Sequence, residues 1–248
     1  MKGRVTKDGF EQSQLLVTEE AEKGKASIHR DYLAHVYRWQ YVIKWLAKGK
    51  RYTTTNLLDV GCGYDIPLYR ILAGNRRSVA HYTGVDIAKI REPQYQCKAP
   101  RTLLSHTPIH TVEANNFNLI TCFEMLEHVP FEYAWDIAKH LYNISTDNAV
   151  FILSTPVFDE KVGMANNHIN EMTRDQVINI VTNAGWKIEK NYGTFASQKD
   201  YKQHLSTSEL ELYDKLSEYY HSDVLATIFA PLYPEHSRNN LWVCRKDT

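Results

Sequence analysis

Residues 56–64 read Asn-Leu-Leu-Asp-Val-Gly-Cys-Gly-Tyr, a strand signal that runs into a glycine turn. A short apolar run ends in Asp59, Gly61 and Gly63. Residues 66–73 then read as a helix, with Pro67 in its first turn, where proline is tolerated, and Gly74 after its end. Glycine lets the backbone turn tightly and approach a ligand closely, since no Cβ intervenes. The next apolar run, 81–85, is closed by Asp86, placed to accept hydrogen bonds from a ribose diol. A glycine turn after a strand, paired with a carboxylate on the following strand end, points to an adenosine-containing ligand.

Outward from this unit the chain keeps alternating. Strands are expected at 102–105, 117–123, 149–154, 186–194 and 241–245. Tyr32, Val36, Trp39, Ile43 and Leu46 recur at spacings of three and four and mark a helix over 28–47. Further helices are expected at 130–144, 206–220 and 224–232. Another begins at Thr173, where Gln176 lies three residues on and completes a capping box. Strands alternating with helices give an α/β fold with a parallel sheet and helices on both faces. Ligands in such sheets bind beyond the carboxyl ends of the strands.

The 248 residues fit one domain over 28–248, preceded by a polar stretch, 1–27, expected to be a flexible tail. Basic and acidic side chains balance at 29 each, so no global field draws the protein to nucleic acid or to an anionic membrane. None of the four cysteines forms a C-x-x-C pair, and the first residues lack an apolar signal core. A soluble, cytoplasmic protein with reduced thiols is expected.

A dinucleotide fingerprint would need a third glycine where Ile66 stands, which disfavours a nicotinamide-dependent oxidoreductase. The 59–65 stretch instead resembles motif I of the class I S-adenosylmethionine-dependent methyltransferases, D/E-x-G-x-G-x-G. Residues 84–87 are similar to motif II of that family, 117–129 to motif IV and its turn, and 151–156 to the following strand. The resemblance implies a Rossmann-like seven-stranded, mostly parallel sheet with an antiparallel last strand. It also implies that S-adenosylmethionine is the cofactor, with Asp59, Gly61 and Gly63 along its methionine end and Asp86 on its ribose. Asp65 departs from the pattern, standing in place of the family's third glycine, where it would cap the helix or face the cofactor's ammonium group. In similar enzymes an N-terminal helix covers the cofactor, which makes Tyr37 and Arg38 candidates for that contact.

Glu124, Glu127 and His128 follow the 117–123 strand. On a helix, residues three and four apart share a face, so Glu124 would meet both of the others. Two carboxylates and an imidazole suit Mg²⁺ or another divalent ion, with His168 as a fourth ligand. The element is similar to that of the small-RNA 3′-terminal 2′-O-methyltransferases and the ubiquinone-pathway O-methyltransferases. The similarity implies an acceptor hydroxyl held by a metal, with His128 and Glu127 in catalytic roles; without a metal, Glu124 would shape the pocket and His128 act as base. Residues 196–238 exceed a usual connection and are rich in tyrosine and histidine, which suggests a helical lid before the last strand or an oligomer contact. The balanced charge favours a small hydroxylated metabolite or saccharide-like acceptor over RNA. A degenerate methyltransferase fold kept as a binding or scaffold module is the reading from another class.

Overall fold

The computed structural model describes residues 30–49, 54–74, 79–92, 100–113, 116–196 and 201–247. The expected tail at 1–27 lies outside them. Helix α1 (Arg30–Lys48) precedes β1 (Asn56–Val60), α2 (Pro67–Gly74), β2 (His81–Val85) and β3 (Arg101–Leu104). Then come β4 (Phe117–Phe123), α3 (Phe131–Asn143), β5 (Ser145–Pro156), α4 (Arg174–Asn183) and β6 (Trp186–Ala196). Helices α5 (Thr207–Ser217) and α6 (Ser222–Phe229) lead into β7 (Ser237–Lys246).

The seven strands lie in the order β3-β2-β1-β4-β5-β7-β6. The first five are parallel, and β7 runs antiparallel to both β5 and β6. Successive side chains of a strand point to opposite faces, and the two cores follow from that. Leu57 on β1 pairs with Leu119 on β4, and both pack with Trp39, Val42 and Leu72 under α1 and α2. Leu58 pairs with Ile120, and both pack with Ile137, Val177 and Val181 under α3 and α4. Thr173 caps α4 as expected, its hydroxyl accepting from Gln176 N–H while the Gln176 side chain accepts from Thr173 N–H. The strand order reverses between β1 and β4, so a crevice opens at their carboxyl ends. No described helix is long and apolar enough to cross a membrane. Cys62, Cys122 and Cys244 are free and buried, and burial pushes their thiols up so that they stay protonated.

The segment between β6 and β7 is helical as expected. Tyr201, Leu205, Tyr213, Leu225 and Phe229 build a third, smaller core within it. That unit packs on β6, the edge strand, and on α1. None of residues 201–236 lines either cavity of the site described below. Gly193 on β6 lets the insertion approach, because a Cβ there would overlap the Ala230 carbonyl oxygen and the Ser237 hydroxyl. A backbone oxygen cannot rotate away, so Gly193→Ala should cost about 1–3 kcal/mol by overpacking. Urea unfolding measures the loss; a variant as stable as the parent would show that the insertion shifts freely on the sheet.

Candidate active site

The turn after β1 is built by two glycines in the left-handed region, Gly61 at φ 67° and Gly63 at φ 74°. Ile66 closes it at φ 44°, a conformation a β-branched residue rarely takes. The N–H groups of Gly61 and Cys62 donate to the Val85 carbonyl at 2.9 and 3.2 Å, tying the turn to the end of β2. Asp86 completes the tie. One of its oxygens accepts from Gly63 N–H at 2.9 Å and the other from Ala88 N–H at 2.8 Å. Beside Gly61 and Asp86 opens a largely apolar cleft of about 550 Å³, walled by Ile87, Thr107–His110, Met125, Val129 and Tyr133. A Cβ on Gly61 would stand 2.8 Å from Met125 Cγ, so glycine keeps this floor open. A carboxylate with lone pairs to spare, next to an apolar slot, fits a nucleoside.

The 107–110 wall follows β3, and no motif in the sequence marks it. Asp59 is not in the cleft. It lies beneath the turn, buried, accepting from Tyr82 Oη at 2.6 Å and Thr121 Oγ1 at 2.7 Å. It therefore braces the loop from below. Burial raises its pKa to about 6, against the lowering effect of the two hydroxyl bonds. A folded pKa above the unfolded one means that the native state holds the proton more tightly. Stability is then fully present below about pH 4 and declines between about pH 4 and 6, by on the order of 2–3 kcal/mol. Asp59→Asn removes this decline. Urea unfolding of both proteins at several pH values reads the difference, which must change across that window; a constant difference would contradict the assignment.

Asp65 neither faces the cleft lining nor stands alone. It is buried and pairs with Arg91 at 2.7 Å, whose guanidinium also lies over the Tyr64 ring.

Beyond β4 the chain does not form the expected helical turn from Glu124. Glu124 itself adopts φ 52°, and Leu126–His128 is a single 3₁₀ turn. A left-handed non-glycine residue at a site is strained and held by its surroundings. Here the holders are specific: Ser154 Oγ donates to Glu124 Oε1 at 2.8 Å and Asn239 Nδ2 to Oε2 at 2.6 Å. Arg38 adds an ion pair to Oε1 at 3.1 Å. Glu124 is thus committed to the scaffold, and the trio that gathers is Glu127, His128 and His168. Each offers one ligand atom, and these atoms lie within 4.8 Å of one another.

His168 arrives because its loop folds back on the Glu127 backbone. The N–H groups of Ile169 and Asn170 both donate to the Glu127 carbonyl, at 3.0 and 3.1 Å. The two imidazoles then sit 5.0 Å apart, nearly perpendicular. His128 Nδ1 donates to the Asn167 carbonyl at 3.1 Å, which leaves Nε2 as its basic nitrogen, 4.0 Å from Glu127. Glu127 is buried and accepts from Thr155 Oγ1 at 3.1 Å. Burial first and the neighbouring Glu124 charge second push its pKa up to about 8. A carboxylate and two imidazoles with lone pairs free suit a divalent ion in geometry and in charge.

The trio borders a second cavity of about 760 Å³, lined also by Arg38, Pro156, Met164, Arg238 and Asn239. Glu124 and His128 line both cavities and form the partition between them. Arg38, expected at the cofactor, is buried on the side of the second cavity, where it also contacts His35 Nδ1 at 3.1 Å. Tyr37 lines neither cavity; its ring packs against Tyr41 and Tyr192.

Residues 32–191 match a family model described as a methyltransferase domain. Over 87 residues the chain is 37% identical to the ubiquinone biosynthesis O-methyltransferase of Idiomarina loihiensis. That alignment covers 30% of this chain and only 32% of the relative's length. The magnesium protoporphyrin IX methyltransferase of Synechocystis PCC 6803, solved with bound SAH, superposes with a TM-score of 0.55 at 14% identity. The match covers 87% of this chain and 85% of that one. The [4+2]-cyclase SpnF gives 0.52 at 16% identity, over 84% and 80% of the two chains. Such likeness shows the fold alone, whereas the family model spans well over half of the sequence. The chain belongs to the methyltransferase domain family.

Proposed function

We propose that this methyltransferase moves the methyl group of S-adenosylmethionine to a hydroxyl oxygen of a small acceptor, with a divalent ion on Glu127, His128 and His168. The observation that carries the reading is the shared partition. A nucleoside-fitting cleft and an open polar cavity meet at Glu124 and His128, so donor and acceptor can face each other across it. S-adenosylmethionine when bound supplies an activated methyl on a sulfonium, and alignment provides most of the acceleration. Asp86 holds the ribose diol, and the Gly61–Gly63 backbone leaves room for the chain beyond it. Arg38, Ser154 and Asn239 fix the Glu124 carboxylate at the partition. Glu127, His128 and His168 would hold the ion, and its charge would lower the pKa of a hydroxyl beside it. In metal-free chemistry His128 Nε2 is the group at the partition able to take the proton.

The second cavity favours a small acceptor over RNA. Its two guanidinium groups, Arg38 and Arg238, already pair with Glu124 and Asp159. Three carboxylates, Glu124, Glu127 and Glu171, share the lining. A polyanion would find no net positive surface there. The Asp86–Gly63 tie and the open Gly61 floor weigh against a degenerate scaffold.

The test is a labelled methyl-transfer assay with catechols, sugars and 3′-terminal RNA, with and without a chelator, alongside calorimetry with S-adenosylhomocysteine. Transfer to a small diol, lost on chelation and restored by Mn²⁺, is the expected result. No binding of S-adenosylhomocysteine would overturn the whole reading. Label only on RNA would reverse the acceptor class, and indifference to the chelator would remove the metal.

A further inference from the structure

Resting on the metal-assisted reading above, we infer that Glu171 is a positioning residue: it fixes the tautomer of His168 so that Nε2 carries the lone pair offered to the cation. Glu171 Oε1 lies 2.5 Å from His168 Nδ1. A carboxylate can only accept, so the ring proton sits on Nδ1 and the basic nitrogen is Nε2. The same oxygen accepts from Ala165 N–H at 2.9 Å, and His168 N–H donates to the Ala165 carbonyl at 2.9 Å. These bonds close residues 165–171 into a loop around the imidazole. Glu171 is only 8% exposed, so its bond to the ring is little screened by water.

The comparison with His128 sharpens the role. That ring is fixed in the same tautomer, but by a neutral acceptor, the Asn167 carbonyl of the same loop. The loop thus orients both imidazoles, and only His168 has a carboxylate behind it. A carboxylate behind a ligating histidine sets its orientation and raises its basicity, and removing such a partner typically weakens metal affinity about 10–100-fold. A purely structural Glu171 would instead act through Ala165, and the two roles separate by substitution. Glu171→Gln keeps an oxygen that can accept from both N–H groups but removes the charge. Glu171→Ala removes the acceptor altogether.

The experiment titrates Mn²⁺ by electron paramagnetic resonance into wild type, His168→Ala, Glu171→Gln and Glu171→Ala, each saturated with S-adenosylhomocysteine. Long-range ¹H–¹⁵N spectra of the metal-free proteins report the His168 tautomer. Wild type should bind one Mn²⁺ and show the Nδ1–H form. His168→Ala should lose the ion, and Glu171→Ala should bind it about 10–100-fold more weakly with the proton moved to Nε2. Glu171→Gln should retain the Nδ1–H form and bind within about tenfold of wild type, a partial rescue. If His168→Ala loses the ion while Glu171→Ala keeps wild-type affinity, the role of Glu171 is overturned and the metal site stands. If wild type binds no Mn²⁺, or His168→Ala binds it as well as wild type, the metal reading falls and takes this inference with it. Should Glu171→Ala fail to fold, Glu171→Gln and the wild-type spectrum decide, and an Nε2–H imidazole in wild type would refute the inference.

Discussion

Replacing Glu127 with glutamine should lower methyl transfer by about 10²–10³-fold while S-adenosylhomocysteine binds as tightly as before. The separation follows from where the side chain stands. Glu127 borders the cavity of about 760 Å³ but does not line the nucleoside cleft. Glutamine fills the same space and can still accept from Thr155 Oγ1, so the turn that positions His128 is kept. What disappears is the negative charge among the three donors, and with it much of the hold on a divalent ion. The same substitution should leave thermal stability unchanged or raise it. A carboxylate buried beside a second one is costly to fold without a cation, and a neutral amide avoids that cost. Loss of activity coupled to retained or higher melting temperature is the pattern of a functional site held at some expense to stability. Kinetics, calorimetry and a melting curve on one preparation check all three points. A variant that melts several degrees lower with activity intact would make Glu127 a structural anchor instead.

Strands β1, β2 and β4 coincide with their apolar runs residue for residue, because a buried parallel strand has no polar face to blur its ends. The glycine turn was equally legible, since only glycine takes its left-handed positions without strain. The conformation at Glu124 is the opposite case. A non-glycine residue at φ 52° carries no sequence mark, and helical spacing would have brought its carboxylate to the metal donors. The actual turn hands it to Arg38, Ser154 and Asn239. Tyr37 and Arg38 show a finer limit: adjacent helical positions lie about 100° apart, and here Arg38 borders the second cavity while Tyr37 packs on Tyr41 and Tyr192. For the segment before β7 the sequence disclosed length and helicity but not direction. Its direction is set by Gly193, an edge-strand position whose missing Cβ admits Ala230. Glu171 was within reach, three residues after His168, yet nothing in the pattern said that its carboxylate would turn back onto the ring.

Asp86→Ala should weaken S-adenosylhomocysteine binding by about 30–300-fold, or about 2–3.5 kcal/mol at 1.4 kcal/mol per tenfold. Two effects combine in that figure. The carboxylate can accept from both ribose hydroxyls, and hydrogen bonds to a charged group contribute about 1.5–3 kcal/mol. It also accepts from Gly63 N–H and Ala88 N–H, so its removal frees the glycine turn and makes the ligand order the loop on binding. Asp86→Asn divides the two. Its oxygen can still accept from one backbone N–H, while its amide opposes the other, so it should bind with intermediate affinity. The turn's share is visible without ligand, as faster hydrogen exchange at Gly63 and Ala88 in Asp86→Ala. Double substitution with Glu127→Gln should give additive effects, because the two side chains line different cavities and share no partner. A loss under about threefold would mean that the diol bonds elsewhere, to other polar groups of the cleft such as those of the Thr107–His110 wall. Asp86 would then keep only its structural task of tying the turn to the end of β2.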